Sequence, residues 1–348
     1  MLAGLTKDGL SAASQVRVLV VGCGSIGKRH IRNLQSLGVQ HIVACDPRPD
    51  RRAEVQEQCG VPAVDDLKEG LAKRPALAFV ATPTAYHVEP ALRAALQGCD
   101  LFIEKPVSHS LEHVASLLET IHEKKLVCLV GCNMRFHPAI VIIKETVERM
   151  ILGPVLSVRV QAGSYLPGWH PWEDYRQGYS ANQSLGGGCI LDGIHEIDYL
   201  RWILGEVETV ACLAGKVSNL EIDTEDVAEI LLRFRSGVIA EVHLDYVQRA
   251  YGRSCQVIAQ EGTLSWDFQD NTVRMFRSTT KQWEVLWQDP QFDFNQTYVD
   301  EIQHFLSCVS TRSKPAQDVT DGVLALRIAL AAKRSAQEGI HVRAGELS

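Results

Sequence analysis

The run Arg17-Val18-Leu19-Val20-Val21-Gly22-Cys23-Gly24-Ser25-Ile26-Gly27-Lys28-Arg29-His30 decides how the rest of the chain is to be read. Arg17 to Gly22 has the apolar character of a buried strand. Ser25 to Leu37 repeats apolar side chains at Ile26, Ile31, Leu34 and Leu37, the spacing of a helix. The three glycines between them have separable uses. Gly22 tightens the turn, Gly24 lets backbone come close to a pyrophosphate, and Gly27 lets the helix pack on its strand, so that the N–H groups at Ser25 and Ile26 face the anion. Strand, glycine turn and helix in this order read as a dinucleotide cradle. Asp46 ends the next strand, His41 to Cys45, where a carboxylate accepts ribose hydroxyl bonds and repels a 2′-phosphate. The cofactor expected is NAD rather than NADP, although Arg48, two residues on, could pair with a 2′-phosphate.

Further apolar runs at Ala76 to Ala81, Leu101 to Ile103 and Leu126 to Val130 alternate with helical patterns at Val88 to Leu96 and Leu111 to Lys124. This alternation implies right-handed crossovers and a parallel sheet, the α/β half of the molecule, closing as a Rossmann domain over residues 1–132. Ligands of a doubly wound sheet sit outside the carboxyl ends of the strands, so residues that directly follow a strand matter most. Thr82, Pro83 and His87 follow one strand; they border the cofactor or only set the turn into the next helix. Leu101-Phe102-Ile103-Glu104-Lys105-Pro106 closes another, which points the Lys105 ammonium into the crevice with Glu104 beside it to orient it.

After a helix at Pro138 to Met150 the pattern changes to strands, at Val155 to Gln161, Val207 to Leu213, Gln256 to Ile258, Gly262 to Trp266, Thr272 to Phe276 and Trp283 to Trp287. Val238, Ala240, Val242, Leu244 and Tyr246 share one face of a strand, and Glu241, His243 and Asp245 the other. A second domain over residues 133–348 is therefore α+β, an open-faced and mostly antiparallel sheet with helices on one side. Its late helix, 319–338, is able to pack back on the first domain. The formal charge of -7 gives no basic field for phosphate backbones, so nucleic acid is not an expected partner. No apolar stretch is long enough to span a membrane, and a cytoplasmic location is the default. The ten cysteines lack CxxC pairs and read as small buried residues, with no metal site.

Gly186-Gly187-Gly188 opens a segment in which Asp192, His195 and Asp198 stand three apart, one side of a single helix if the apolar spacing is followed through. A histidine held between two carboxylates gains basicity and suits proton abstraction, although a surface network of charges has the same spacing. Upstream lies a loop with Trp169, His170, Trp172, Tyr175 and Arg176. Aromatic faces stack on sugar rings while Arg and His take hydroxyls, so the loop is expected to close over a carbohydrate; a hydrophobic plug or subunit contact is the alternative. Arg135 and His137, after the last Rossmann strand, are expected to line the cleft, with Arg135 and Arg176 either meeting an anionic substrate or forming plain ion pairs.

Four runs in order, VLVVGCGSIGKRH, FIEKP, GCNMRFHP and GGGCILDGIHEIDYLRWILG, resemble those of the glucose-fructose oxidoreductase, inositol dehydrogenase and rhizopine-catabolism (Gfo/Idh/MocA) oxidoreductases, sugar-acting branch. The resemblance runs from about Arg17 to Arg343 and implies the same pair of domains. It also implies that Lys105 contacts both nicotinamide and the reacting hydroxyl, with Asp192 and His195 as the acid and histidine that accompany it. The pair is three residues apart here rather than the commoner four, which leaves the part played by Asp192 open. The activity implied is hydride transfer between NAD and a ring hydroxyl or ketone of a sugar, sugar acid, nucleotide sugar or cyclitol. His195 would act as base and Lys105 would stabilise the developing alkoxide. A redox-neutral enzyme that recycles bound NAD uses the same parts, and a dinucleotide-sensing regulator shares the fold. The resemblance further implies a homodimer or homotetramer, joined through the open sheet face.

Overall fold

The structure, a computed structural model, describes residues 15–169 and 171–346. It divides into two compact units, residues 15–133 with Asn295–Val323 and residues 134–294 with 324–346.

In the first unit β1 (Arg17–Val21), α1 (Ser25–Ser36), β2 (His41–Cys45), α2 (Pro49–Cys59), β3 (Ala63–Val64), α3 (Leu67–Ala72), β4 (Leu77–Val80), α4 (Val88–Leu96), β5 (Asp100–Glu104), α5 (Val114–Glu123) and β6 (Cys128–Gly131) follow one another. Every strand pairing is parallel, in the order β3-β2-β1-β4-β5-β6. The order reverses beside β1, which opens a crevice at the carboxyl ends of β1 and β4. A parallel sheet covered on both faces needs continuous apolar strands, and Leu77–Val80 and Asp100–Glu104 are buried at every position. Phe79 and Phe102 stack at 4.7 Å across β4 and β5, and Phe305 meets both edge-on.

In the second unit α6 (Pro138–Glu148), β7 (Val155–Gly163), α7 (Cys189–Asp192), α8 (Ile194–Leu204), β8 (Val207–Gly215), β9 (Val227–Phe234), β10 (Ile239–Asp245), β11 (Gly252–Ala259), β12 (Gly262–Asp267), β13 (Thr272–Arg277) and β14 (Gln282–Gln288) come in turn. With β15 (Val342–Arg343), after α9 (Asn295–Thr311) and α10 (Val319–Glu338), they make a nine-stranded sheet in the order β14-β13-β12-β11-β7-β10-β9-β8-β15. Only the central β7 and β10 run parallel. Ala240, Val242 and Leu244 face inward and are buried, whereas Leu213, Leu231 and Ile239 are exposed, so one face of the sheet lies open.

One segment differs from the sequence reading. Asn295–Val323 goes with the first unit, where Ile302, Phe305 and Leu306 enter its core. Beyond Val323, α10 goes with the second unit: Ser335 accepts from the backbone N–H of Cys212 on β8, and Lys333 pairs with Glu225. All ten cysteines are buried and free of disulfides. Among the described residues no helix is long and apolar enough to cross a membrane, and no cluster of His, Cys, Asp and Glu could hold a metal ion.

Candidate functional site

The glycine turn works by excluding side chains at two points and leaving the third open. Gly22 has φ +99, and a Cβ there would lie 2.4 Å from the carbonyl oxygen of Ala81. At Gly27 a Cβ would lie 1.9 Å from the carbonyl oxygen of Gly22, whereas at Gly24 it would meet nothing, which leaves that stretch of backbone accessible to a ligand. Asp46 braces the turn: Oδ2 accepts from the backbone N–H of Cys23 at 2.8 Å and Oδ1 from that of Arg48 at 2.9 Å. The Arg48 guanidinium turns to Asp50, and that bond holds the Asp50 carboxyl down at about 2. Cys23 is no nucleophile, because burial and the Asp46 charge push its thiol up to about 12.

At the ends of β4 and β5 side chains clamp backbone. The buried His87 ring lies 2.8 Å from the carbonyl oxygens of both Thr82 and Pro106, and burial outweighs those contacts to keep its pKa below the usual value. Thr82 donates to the carbonyl of Tyr86, and Pro83 precedes the short 3₁₀ turn Thr84–Tyr86. Lys105, half-buried, joins Pro106 through a cis peptide. Glu104 is buried behind it, with Oε1 2.6 Å from Nε2 of His30 and Oε2 accepting from the Lys105 N–H. Burial pushes the Glu104 carboxyl up, but the His30 bond and the Lys105 charge outweigh it and hold the group below the usual range.

The second unit departs from the single-helix expectation. Asp192 ends α7 and Gly193 interrupts the path, so His195 stands on a separate helix, in the first turn of α8. His195 is therefore not held between carboxylates of one helix face. Asp198 is taken by Arg135, in a bidentate pair of 2.8 and 2.7 Å whose side chains are 1% and 0% exposed. That corrects Arg135 as a candidate for substrate: its guanidinium is spent on a buried ion pair. Asp192 accepts from the hydroxyl of Tyr246 at 2.5 Å, and burial together with the Asp192 charge pushes the Tyr246 phenol well up. These two line a small cavity with Ser164, Trp169, Gly193 and Arg253, the last bonded to buried Glu196.

The aromatic loop divides. Trp169 donates to Ser164 and meets Tyr246 edge-on at 5.3 Å, beside the same cavity. Trp172 is 76% exposed, the Tyr175 oxygen accepts from the N–H of Glu221, and Arg176 pairs with Asp174 and Glu221, so Tyr175 and Arg176 tie this loop to the segment at Glu221. His170 lies outside the described residues. His137 caps α6 by accepting from the N–H of Ala139 and is buried against Trp266 and Phe292, which corrects its expected place in a cleft. Sequence reasoning missed Tyr246 as the partner of Asp192 and His30 as the partner of Glu104. The only signal for His30 was a polar ring on the same helical face as Gly27, Ile31 and Leu34.

Two family models match the chain. Residues 16–132 match an oxidoreductase family with an NAD-binding Rossmann fold, and residues 140–265 match the GFO/IDH/MocA C-terminal domain. The chain belongs to the GFO/IDH/MocA oxidoreductase family. Within the family it is 29% identical to the myo-inositol 2-dehydrogenase of Thermotoga maritima, over 95% of this chain and 99% of that one. It is 25% identical to the NAD(+) scyllo-inositol 2-dehydrogenase of Bacillus subtilis, over 94% and 96%. Among solved structures, GenD2 from gentamicin A biosynthesis, in complex with NAD, superposes with a TM-score of 0.83 at 25% identity, covering 99% of both chains.

Proposed function

We propose that the protein is an NAD-dependent dehydrogenase that oxidises a ring hydroxyl of a sugar, sugar acid, nucleotide sugar or cyclitol, or reduces the matching ketone. The observation that carries this is the row along the carboxyl edge of the six-stranded sheet. Asp46 lies just beyond the end of β2, the open Gly24 backbone after β1, Thr82 after β4 and Lys105 after β5. These neighbouring strands span three spacings of about 4.8 Å each, a row suited to an extended dinucleotide with its adenosine at Asp46 and its nicotinamide at Lys105. The full-length similarity to two inositol dehydrogenases and the NAD complex of GenD2 point the same way.

The N–H groups of Ser25 and Ile26 would take the pyrophosphate and Asp46 the ribose hydroxyls. Because the Asp46 carboxylate would repel a 2′-phosphate, NAD is preferred to NADP. The bound nicotinamide supplies the hydride acceptor. Neutral His195 receives the hydroxyl proton, and the Lys105 ammonium stabilises the alkoxide that develops as the C–H bond weakens. Asp192, fixed by Tyr246, accepts from a neighbouring hydroxyl, and Trp169 offers its ring to the sugar face.

The test is purified protein with NAD and a panel of sugars, sugar acids and cyclitols, followed by NADH absorbance. Lys105→Met and His195→Asn should each lower kcat by about 10²- to 10⁴-fold while leaving NAD affinity within about threefold. Unchanged turnover in both variants overturns the assignment of roles. Turnover that proceeds without added NAD and without net NADH would move the reading to the redox-neutral class.

A further inference from the structure

We propose that His30 is a positioning residue for Lys105, acting through the carboxylate of Glu104. The inference rests on the dehydrogenase reading only for its consequence in turnover; the geometry stands within the first unit alone. His30 lies three residues beyond the last glycine of the cradle, on α1, and is fully buried. Its ring packs against Phe79, Phe102 and Tyr298 at 5.7, 5.0 and 6.2 Å. The Nε2 atom reaches across to Glu104 Oε1 at 2.6 Å. The next strand leaves room for this bond: a Cβ on Gly131 would lie 3.3 Å from the same oxygen.

The protonation pattern follows from burial. Nδ1 of His30 is buried with no hydrogen-bond partner among the described residues, so a proton there would be an unpaired donor in an apolar cage. The Nε2–H therefore donates to Glu104. The negative charge stays on Glu104, whose other oxygen already accepts from the Lys105 N–H. His87 is the other titratable ring that acts on this carboxylate. It stands at the start of α4, with its ring nitrogens against the carbonyls of Thr82 and Pro106 and its pKa lowered by burial. The carboxylate that His30 fixes thus accepts from the Lys105 backbone N–H and attracts the Lys105 charge, so it sets where the strand delivers the lysine and the field its ammonium stands in. The helix that starts at the glycine turn and the strand that ends in Lys105 are joined by this bond and by the His30–Phe102 ring contact, so the element proposed to take the pyrophosphate also holds the lysine's strand.

The experiment measures acetylation of Lys105 by acetic anhydride as a function of pH, by peptide mass spectrometry, in wild type, E104Q, H30L and H30Q. NAD affinity and thermal unfolding are followed in parallel. Removing an opposite charge favours the neutral amine, so E104Q should move the labelling curve to lower pH by about one unit or more. H30L should move it in the same direction by at least about half as much. H30Q, whose amide can donate from nearly the same place, should stay within about 0.3 units of wild type. NAD affinity should change by less than about threefold in H30L and H30Q, because His30 is fully buried. Superposition of the H30L and wild-type curves overturns the proposal. If H30L does not fold, superposition of the E104Q and wild-type curves does the same. Labelling needs no turnover, so an enzyme that fails on every sugar would refute the dehydrogenase reading and leave this test intact.

Discussion

The carboxyl edge of the six-stranded sheet and the segment 186–205 of the second unit are both built around glycines, yet they hold their polar groups in opposite ways. Along the sheet edge Asp46 is fixed by the N–H of Cys23 and His87 lies against two carbonyls, with Glu104, held by the side chain of His30, the exception. In the second unit, side chains are fixed by side chains far away in the sequence: Asp192 by Tyr246, Glu196 by Arg253 and Asp198 by Arg135. A backbone-held site is specified by a short motif. A side-chain-held site is specified by pairs, and each member is meaningless until its partner is known. The first should be sensitive to added Cβ atoms and the second to lost partners.

The largest effect is expected at Arg135. Removing one member of a buried ion pair leaves an uncompensated charge, so Arg135→Met should cost about 3 to 5 kcal/mol in urea unfolding. The double variant Arg135→Met with Asp198→Leu should recover most of that loss. If Arg135 bound substrate instead, the single variant would raise KM with little change in stability, and the contrast between the two regions would fail.

Next come the glycines. Gly27→Ala would press a Cβ on the Gly22 carbonyl, and Gly193→Ala would place one 2.6 Å from Leu244 Cδ2 and 2.8 Å from the Cys189 carbonyl. Each should cost about 1 to 3 kcal/mol through overpacking. They should differ in what else is lost. Gly27→Ala should weaken NAD binding at least about tenfold, because it distorts the turn, whereas Gly193→Ala should leave NAD affinity alone. Equal losses of NAD affinity in the two variants would show that the glycines do not serve separate regions.

The same contrast explains what could be read beforehand. The parallel sheet was legible because strand, glycine turn and helix recur locally, and Lys105 was legible because it follows a strand. The small elements α2, β3 and α3 were not. Of the eleven residues of α2, Pro-Asp-Arg-Arg-Ala-Glu-Val-Gln-Glu-Gln-Cys, only Val55 and Cys59 are buried, so it carries almost no periodicity. Apolar spacing from Cys189 to Leu200 suggested one helix, although Gly193 was there as a breaker. Tyr246 was placed correctly on the inner face of its strand, but nothing in the chain says that its hydroxyl meets a residue 54 positions earlier. Arg135 was equally ambiguous until Asp198 came into view.

His137 offers a smaller test, through pH. Its pKa is driven down to about 3 by burial and by the Arg253 charge, from an ordinary 6.5. Between those two values the unfolded chain binds the extra proton, so stability should rise with pH from about 3 to 6.5 and be unaffected by this group above that window. The slope from one such group is about 1.4 kcal/mol per pH unit. His137→Asn keeps an acceptor for the Ala139 N–H but cannot titrate, and should remove that slope from a series of urea midpoints. An unchanged slope would mean that the ring is not buried neutral at the start of α6.

The smallest expected change also separates the two regions most finely. Tyr246→Phe removes one hydroxyl from the cavity beside Trp169 and leaves the ring that packs there. A single hydrogen bond to a charged group contributes about 1.5 to 3 kcal/mol, and part of that would be recovered by water reaching Asp192 through the cavity. The net cost in stability should therefore be near 1 kcal/mol. In the proposed enzyme, losing the bond that fixes Asp192 should raise KM for the sugar by several-fold and lower kcat by no more than about tenfold, with NAD affinity unchanged. That pattern places Tyr246 in the substrate region and not in the cofactor region. A Tyr246→Phe protein that keeps wild-type KM and kcat would mean that Asp192 is fixed for the sake of the fold and not the substrate, leaving His195 as the one polar group of that segment assigned to the reaction.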